Sequence, residues 1–293
     1  MPASKQEIHI KIDSQQQDGL KILADTANLS LQTLKKCMKK GAVWLTRGKQ
    51  TQRLRRAKKH YCINDELHLY YNEDVLNETV SAAKLLFDEG EYSLWYKPYG
   101  MRCQGSKWSD HTTIQRFVET QTTPCRPAYI VHRLDRAATG LIIIAHSKKM
   151  AAALAKLFAL RTLKKYYYVI VEGDIRNGSH LIPSLGEAKQ QKQLTISTPV
   201  DNKKAISYIE PVEYCLDKNQ SLVKVTIETG RKHQIRIHMA SIGHPVVGDR
   251  LHGHAGSNSI NLQLTSSFFE FICPLTHQQK QFLLPEHFRP SLK

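Results

Sequence analysis

Apolar residues recur at helical spacing twice near the start of the chain. Leu20, Ile22, Leu23 and Ala27 predict a first short helix. Leu31, Leu34 and Met38, three and four apart behind a Ser30 cap, predict a second that Gly41 ends. Period-two alternation then takes over, with Ala42 to Leu45 and Glu66 to Tyr71 reading as strands on either side of a turn at Gly48 and a basic stretch. Residues 1–16 are polar and glutamine-rich and predict a loose tail or a weak edge strand.

Further on, Tyr92 to Lys97 predicts a strand stopped by the turn Pro98-Tyr99-Gly100, and residues 101–128 read as irregular. Tyr129 to Val131 leads into the polar run His132 to Thr139. After Gly140 the unbroken apolar run Leu141 to Ala145 predicts a buried strand. Ser147 caps a helix with Met150, Leu154, Leu157 and Phe158 on its core face. Tyr166 to Val171 predicts a strand on which alternation turns Tyr167 away from Tyr166 and Tyr168. Residues 174–204 read as loop and hairpin, and Lys203 to Tyr208 and Ser221 to Glu228 as antiparallel strands. Ile235, Met239 and Ile242, stopped by Gly243 and Pro245, predict a short amphipathic helix with Gln234 and Arg236 off its apolar face. The pattern is α+β: a small N-terminal α/β module, then a larger domain with a central mixed, mainly antiparallel sheet flanked by helices and loops.

Composition narrows the class. With 41% hydrophobic and 23% charged residues over 293, no long apolar span and no leader-like start, the chain reads as a soluble cytoplasmic protein without a membrane partner, and as a monomer. Its six cysteines form no CxxC pair and its fourteen histidines no metal-ligand spacing, so neither a disulfide framework nor a metal site is expected. The net charge of +16 points to a polyanion as partner. Between Thr26 and Asn64 there is no acidic residue, while Lys35, Lys36, Lys39, Lys40, Arg47, Lys49, Arg53, Arg55, Arg56, Lys58 and Lys59 supply eleven positive charges. Asn72 to Gly90 is acidic, and the change of sign marks a boundary. The expected organisation is a tail (1–17), a basic module (18–73), a linker (74–90) and a large domain (91–293).

The candidate chemistry centres on Asp135, flanked by Arg133 and Arg136 and set just before a glycine turn into a strand. On this stretch alone, an aspartate that caps the turn and pairs with an arginine explains the residues equally well. The start of the helix near Gly230, Arg231 and His233 offers a second basic element whose N–H groups suit an anion.

Two resemblances raise the resolution. Residues 18–73, with their basic second helix and following turn, resemble the S-four-type RNA-binding domain, which implies that Lys35, Lys36, Lys39, Lys40, Arg53, Arg55 and Arg56 face an RNA backbone. His132-Arg133-Leu134-Asp135, Lys165-Tyr166-Tyr167 through Gly173, and Thr229-Gly230-Arg231 with His233-Gln234-Ile235-Arg236 and Gly243 to Asp249 resemble the RluA-type pseudouridine synthases, with the tail Leu262 to Pro285 similar to that family's closing strands. The resemblance implies isomerisation of uridine to pseudouridine in a structured RNA, with no cofactor, metal or nucleotide. By motif, Asp135 is the essential carboxylate, as nucleophile or as base toward a sugar proton. Tyr167 is the tyrosine that stacks on uracil and assists proton removal, and Arg236 is the partner that holds Asp135 ionised. His132, Arg133, Arg136, Arg231, His233 and Gln234 are expected to contact RNA. Ribosomal RNA is favoured over transfer RNA as the target. Two departures, Ala138-Thr139 before the glycine and Lys232 in the arginine motif, miss the three proposed catalytic positions. The competing readings are a catalytically silent RNA-binding or ribosome-assembly factor on the same fold and a transfer-RNA pseudouridine synthase.

Overall fold

The computed structural model describes residues 5–14, 18–57, 60–177, 193–253 and 260–292. The chain divides into two compact units, one of residues 1–80 with 104–121 and one of residues 81–103 with 122–293.

In the first unit, Asp18 caps α1 (Gly19–Ala27) by accepting the N–H groups of Leu20 and Lys21. Ser30 caps α2 (Leu31–Lys40), and Gly41 closes it at φ 83°. Their apolar faces, Leu20, Leu23, Ala27, Leu34 and Met38 among them, bury against Val43, Leu45, Leu67 and Leu69 of a four-stranded antiparallel sheet. That sheet orders β1 (Lys5–Lys11), β4 (Glu66–Asn72), β2 (Val43–Arg47) and β3 (Gln50–Arg53). Residues 5–11 are therefore more than a tail: they pair with β4 along their whole length, Lys5 opposite Asn72 and Lys11 opposite Glu66. The helix α3 (Glu73–Asn77) follows β4 directly. Residues 101–128, read as irregular, contain α4 (Ile114–Gln121), and Ile114 and Val118 of that helix are buried. Thr113 accepts the Arg116 N–H at its start, a cap the sequence displays.

The second unit begins inside the expected linker. β5 (Lys84–Asp88) pairs with β6 (Tyr92–Lys97), so the acidic charge of 74–90 marks a solvated edge strand as well as a connection. The ten-stranded sheet adds β7 (Tyr129–Ile130), β8 (Thr139–Ala145), β9 (Lys164–Glu172), β10 (Leu194–Ile196), β11 (Ser207–Cys215), β12 (Gln220–Ile227), β13 (Leu264–Ile272) and β14 (Gln279–Leu283). Its order is β10-β11-β12-β9-β13-β8-β6-β5, with β14 on β13 and β7 on β8; the β8–β13 pair is parallel and the others antiparallel. The fold is thus α+β with a mixed, mostly antiparallel sheet. Helix α5 (Lys148–Leu160), capped by Ser147, lays Met150 and Leu154 on Leu141, Ile143, Ala145 and Phe269. Among the described residues no helix is long and apolar enough to cross a membrane. Much of the expected loop of 174–204 lies outside the described residues.

The entry to β8 fixes where the polar run before it emerges. Gly140 sits at φ 102° opposite Ser266, and a Cβ there would stand 2.2 Å from the Ser266 carbonyl oxygen. Both the dihedral and the backbone contact require glycine. Gly140→Ala should lower the urea midpoint by an amount equivalent to about 2–4 kcal/mol, with the slope unchanged; a midpoint within error of wild type would show that the β8–β13 junction gives way easily.

Candidate active site

Asp135 lies in the loop 131–138 between β7 and β8, and a strap formed by residues 97–103 holds that loop from behind. The Leu134 N–H donates to Cys103 Sγ (3.2 Å) and the Cys103 S–H donates to the Leu134 carbonyl (3.3 Å). The Gly100 N–H donates to the Arg136 carbonyl at 2.9 Å. Lys97, fully buried at the end of β6, donates from Nζ to the carbonyls of Met101 (2.8 Å), Pro98 (3.1 Å) and Arg136 (3.3 Å). Burial lowers its pKa to about 8, against the opposing pull of Cys103 and Asp135. In the sequence Lys97 stands only as the end of a strand. The available signal was a lysine in register with apolar residues just before a proline turn.

Arg236 reaches the site from helix α6 (Gln234–Ser241). Its Nη1 lies 3.4 Å from Asp135 Oδ2, but its two-pronged contact is with Asp249, Nε to Oδ2 at 2.8 Å and Nη2 to Oδ1 at 2.6 Å. The expected contact of Arg236 with Asp135 is present, and a second acid is added to it: one guanidinium bridges two carboxylates, and the fork belongs to Asp249. Asp249 also accepts the N–H groups of Leu251 and His252. Burial pushes its carboxyl pKa up, and these donors more than reverse that, leaving it below the usual carboxylate range. The two acids differ in access. The Asp249 side chain is fully buried, whereas that of Asp135 is 26% exposed. Asp249 stood in the Gly243 to Asp249 motif without a role, and nothing in its spacing from Arg236 announces the pair.

Tyr167 sits mid-sheet on β9, opposite Val225 of β12 and Ser266 of β13. Tyr166 and Tyr168 turn to the other face, where they meet edge to face at 5.6 Å and Tyr166 stacks on Phe268 at 4.8 Å. The alternation expected from sequence holds. Burial raises the Tyr167 phenol pKa and the negative charge of Asp135 raises it further. The resting side chain is therefore a neutral phenol: it can stack and donate a hydrogen bond, and it accepts a proton only after its own has left.

His233 precedes α6 in a left-handed conformation (φ 55°) that brings its Nε2 to 3.8 Å from Asp135 Oδ2 and its Nδ1 to 3.2 Å from His252 Nε2. Burial keeps its pKa below the ordinary value although Asp135 pulls the other way. Arg133 and Arg136 are exposed on the Asp135 loop, the latter donating from Nε to the Gly100 carbonyl. Arg231 is partly buried and donates to the Lys204 carbonyl at 3.0 Å.

Two residues expected to touch RNA are internal braces. His132 accepts the Ile143 N–H at Nε2 (3.0 Å) and stacks on Phe158 (4.6 Å). The residue is partly buried, and the desolvation of its ring, aided by Lys165, pushes its pKa down to about 3, so it is neutral and engaged by the Ile143 N–H. Gln234, 3% exposed, accepts from Thr229 Oγ1 and the Arg231 N–H and donates to the Ile206 carbonyl and Ser207 Oγ. The apolar-face reading of α6 also needs correction, because Gln234, Arg236 and His238 are buried alongside Ile235 and Met239. Each finds polar partners inside, as burial demands.

In the first unit the basic residues divide. Lys35, Lys36, Lys39 and Arg56 are exposed. Arg53 and Arg55 both clamp Asp110, Arg53 at 3.1 Å, and Lys40 donates to the Leu76 carbonyl, so these three are partly spent on structure. Lys58 and Lys59 lie outside the described residues.

The family profile for RNA pseudouridylate synthases matches residues 91–241 of the chain. A ribosomal large subunit pseudouridine synthase D of Zymomonas mobilis is 32% identical over 163 residues, 52% of this chain and 51% of that protein. A dual-specificity RNA pseudouridine synthase RluA of Haemophilus influenzae is 31% identical over 173 residues, 58% of this chain and 77% of that one. Among solved structures, human RNA pseudouridylate synthase domain containing 1 shares the fold with a TM-score of 0.58 at 20% identity, covering 74% of this chain and 89% of its own.

Proposed function

Because the chain belongs to the RNA pseudouridylate synthase family, in its RluA-type branch, we propose that the Asp135 loop is the centre at which it turns uridine into pseudouridine. The observation that carries this is Asp135 itself, a partly exposed carboxylate that shares a buried guanidinium with a second, fully buried acid. A carboxylate so fixed and still open to solvent can meet a flipped nucleotide without searching for its own geometry.

The reaction breaks the bond from uracil N1 to the sugar C1′, turns the base and joins C5 to C1′; the C5 proton leaves and N1 gains one. Asp135 opens the sequence as nucleophile or by taking a sugar proton, and either role needs an unprotonated carboxylate within reach. Arg236 holds that carboxylate in place, and its own orientation comes from Asp249. Tyr167 supports the base by stacking and by its hydroxyl. Arg133, Arg136 and Arg231 lie on the segments flanking this centre and suit phosphates of the flipped strand. Incubating the protein with bulk RNA and no added cofactor should yield a uridine isomer of unchanged mass that chemical derivatisation reveals. No isomer from any cellular RNA would leave the silent-binder reading standing.

We further propose that residues 18–73 grip the RNA backbone through Lys35, Lys36, Lys39 and Arg56, and that ribosomal RNA is the substrate, since a separate basic module suits a large folded target. Reversing these four charges should weaken RNA binding and flatten the plot of log affinity against log salt by roughly one unit per lost phosphate contact. An unchanged slope would remove the module from the binding account.

A further inference from the structure

The four-stranded sheet of the first unit buries one face on α1 and α2. Its other face is lined with rings and cations. The strand register sets His9, His68, Trp44 and Arg53 side by side across β1, β4, β2 and β3, and period two adds Tyr70 to the same face. Residues 106–109 bring in two more groups. Trp108 packs edge to face on Tyr70 at 5.9 Å, and the Trp44 indole N–H donates to the Lys107 carbonyl at 2.9 Å. Cations lie over each ring: Lys5 Nζ is 5.0 Å from the Trp108 centroid, Lys107 Nζ is 5.3 Å from Trp108 and 4.8 Å from Tyr70, and the Arg53 guanidinium is 4.2 Å from Trp44. The three aromatic side chains are only partly buried, and Lys5 and Lys107 are exposed. Two acids oppose these cations: Lys107 meets Glu7 at 2.6 Å, and Arg53 meets Asp110 at 3.1 Å.

We propose that this outer face, built by Trp44, Tyr70 and Trp108 with Lys5, Lys107 and Arg53, is a stacking platform for unpaired nucleotides of the RNA substrate. Rings interleaved with cations on an open sheet suit a single strand, whose bases present π-faces and whose phosphates are joined to them through the sugars. A base that stacks on Trp108 takes the place of an exposed lysine on the ring and leaves that ammonium beside a phosphate of the same strand. An acidic peptide would use the cations and leave the rings idle. A duplex keeps its bases inside, away from the rings. The face lies on the side of the sheet opposite α2, so it adds a single-strand contact to the helix-borne phosphate grip and does not restate it.

The inference rests on the reading of the chain as an RNA-modifying enzyme, but binding alone tests it. With the full chain, a short labelled oligouridine and a blunt two-stranded RNA duplex serve as probes. Trp108→Ala should weaken oligouridine binding by about tenfold or more and duplex binding by less than about twofold, while Trp108→Phe should recover most of the loss. Where Trp108→Ala fails to fold, the double variant Lys5→Gln with Lys107→Gln reads the same surface and should bind oligouridine several-fold more weakly with a flatter salt dependence. Wild-type oligouridine affinity in both variants overturns the platform, as does polyglutamate competing as well as oligouridine. Failure of the isomerase reading is a separate outcome, seen as absence of pseudouridine product with oligouridine affinity intact.

Discussion

Asp135→Asn should cut turnover by at least about 10³-fold, the scale of a lost acid–base or nucleophilic group, with RNA affinity and thermal stability close to wild type. The separation follows from the geometry. The asparagine keeps the shape of the side chain and its loop, which Lys97, Cys103 and Gly100 hold through backbone groups that the substitution does not touch. Arg236 retains its fork on Asp249, so no buried charge loses its partner. Removing a negative charge from a surface that meets RNA cannot weaken electrostatic attraction. Single-turnover rates beside equilibrium binding and a melting curve make the comparison. Turnover within tenfold of wild type would remove Asp135 from the chemistry and revive the reading of a capped turn.

Arg236→Ala carries the second large effect, and it falls on stability as well as activity. Asp249 has no exposed side-chain surface and would lose the guanidinium fork while keeping the N–H groups of Leu251 and His252. Leaving a buried carboxylate without its cation costs about 3–5 kcal/mol. The pH dependence should also change. In the wild type the Asp249 pKa lies below its unfolded value, so its contribution is present above about pH 4 and is lost as pH falls through the lower, folded pKa. In the variant fewer donors oppose burial, so the folded pKa moves up from its wild-type position, and the defect shrinks as the medium is acidified and the acid protonates. Urea denaturation of both proteins at pH 7 and near pH 4 reads this directly. A stability deficit that stays constant across that range would assign the cost to lost packing of the arginine stem. Arg236→Lys, which keeps a charge but not the fork, should recover part of the stability and little of the rate.

How far the sequence carried depends on whether a feature is local. The helices α2 and α5 were legible because Ser30 and Ser147 cap them and their apolar positions recur at three and four. β8 was legible as an unbroken apolar run, and Tyr167 was singled out by period two alone. The roles proposed for Asp135, Tyr167 and Arg236 rest on motifs in a familiar order. What stayed hidden is tertiary. The pairing of Arg236 with Asp249 joins a helix to a loop, and no periodicity encodes it. His132 and Gln234 sit in polar, basic stretches and were read as RNA contacts, yet burial of the stretch turns them into braces for Ile143 and for the Ile206 backbone. Lys97 shows the converse, a charged residue inside the core because three carbonyls converge on it. The change of charge sign near Asn72 suggested a linker, but charge records solvent exposure, and an edge strand such as β5 is exposed too.

The central claim is that the Asp135 centre rearranges uridine, and loss of the C5 hydrogen is the event that no RNA-binding protein or hydrolase reproduces. RNA carrying tritium at uracil C5 should release tritium to water when incubated with the purified protein, in step with pseudouridine formation and without any added cofactor, while Asp135→Asn releases none above background. Full release by Asp135→Asn, or no release by the wild type from ribosomal or transfer RNA, would contradict the account.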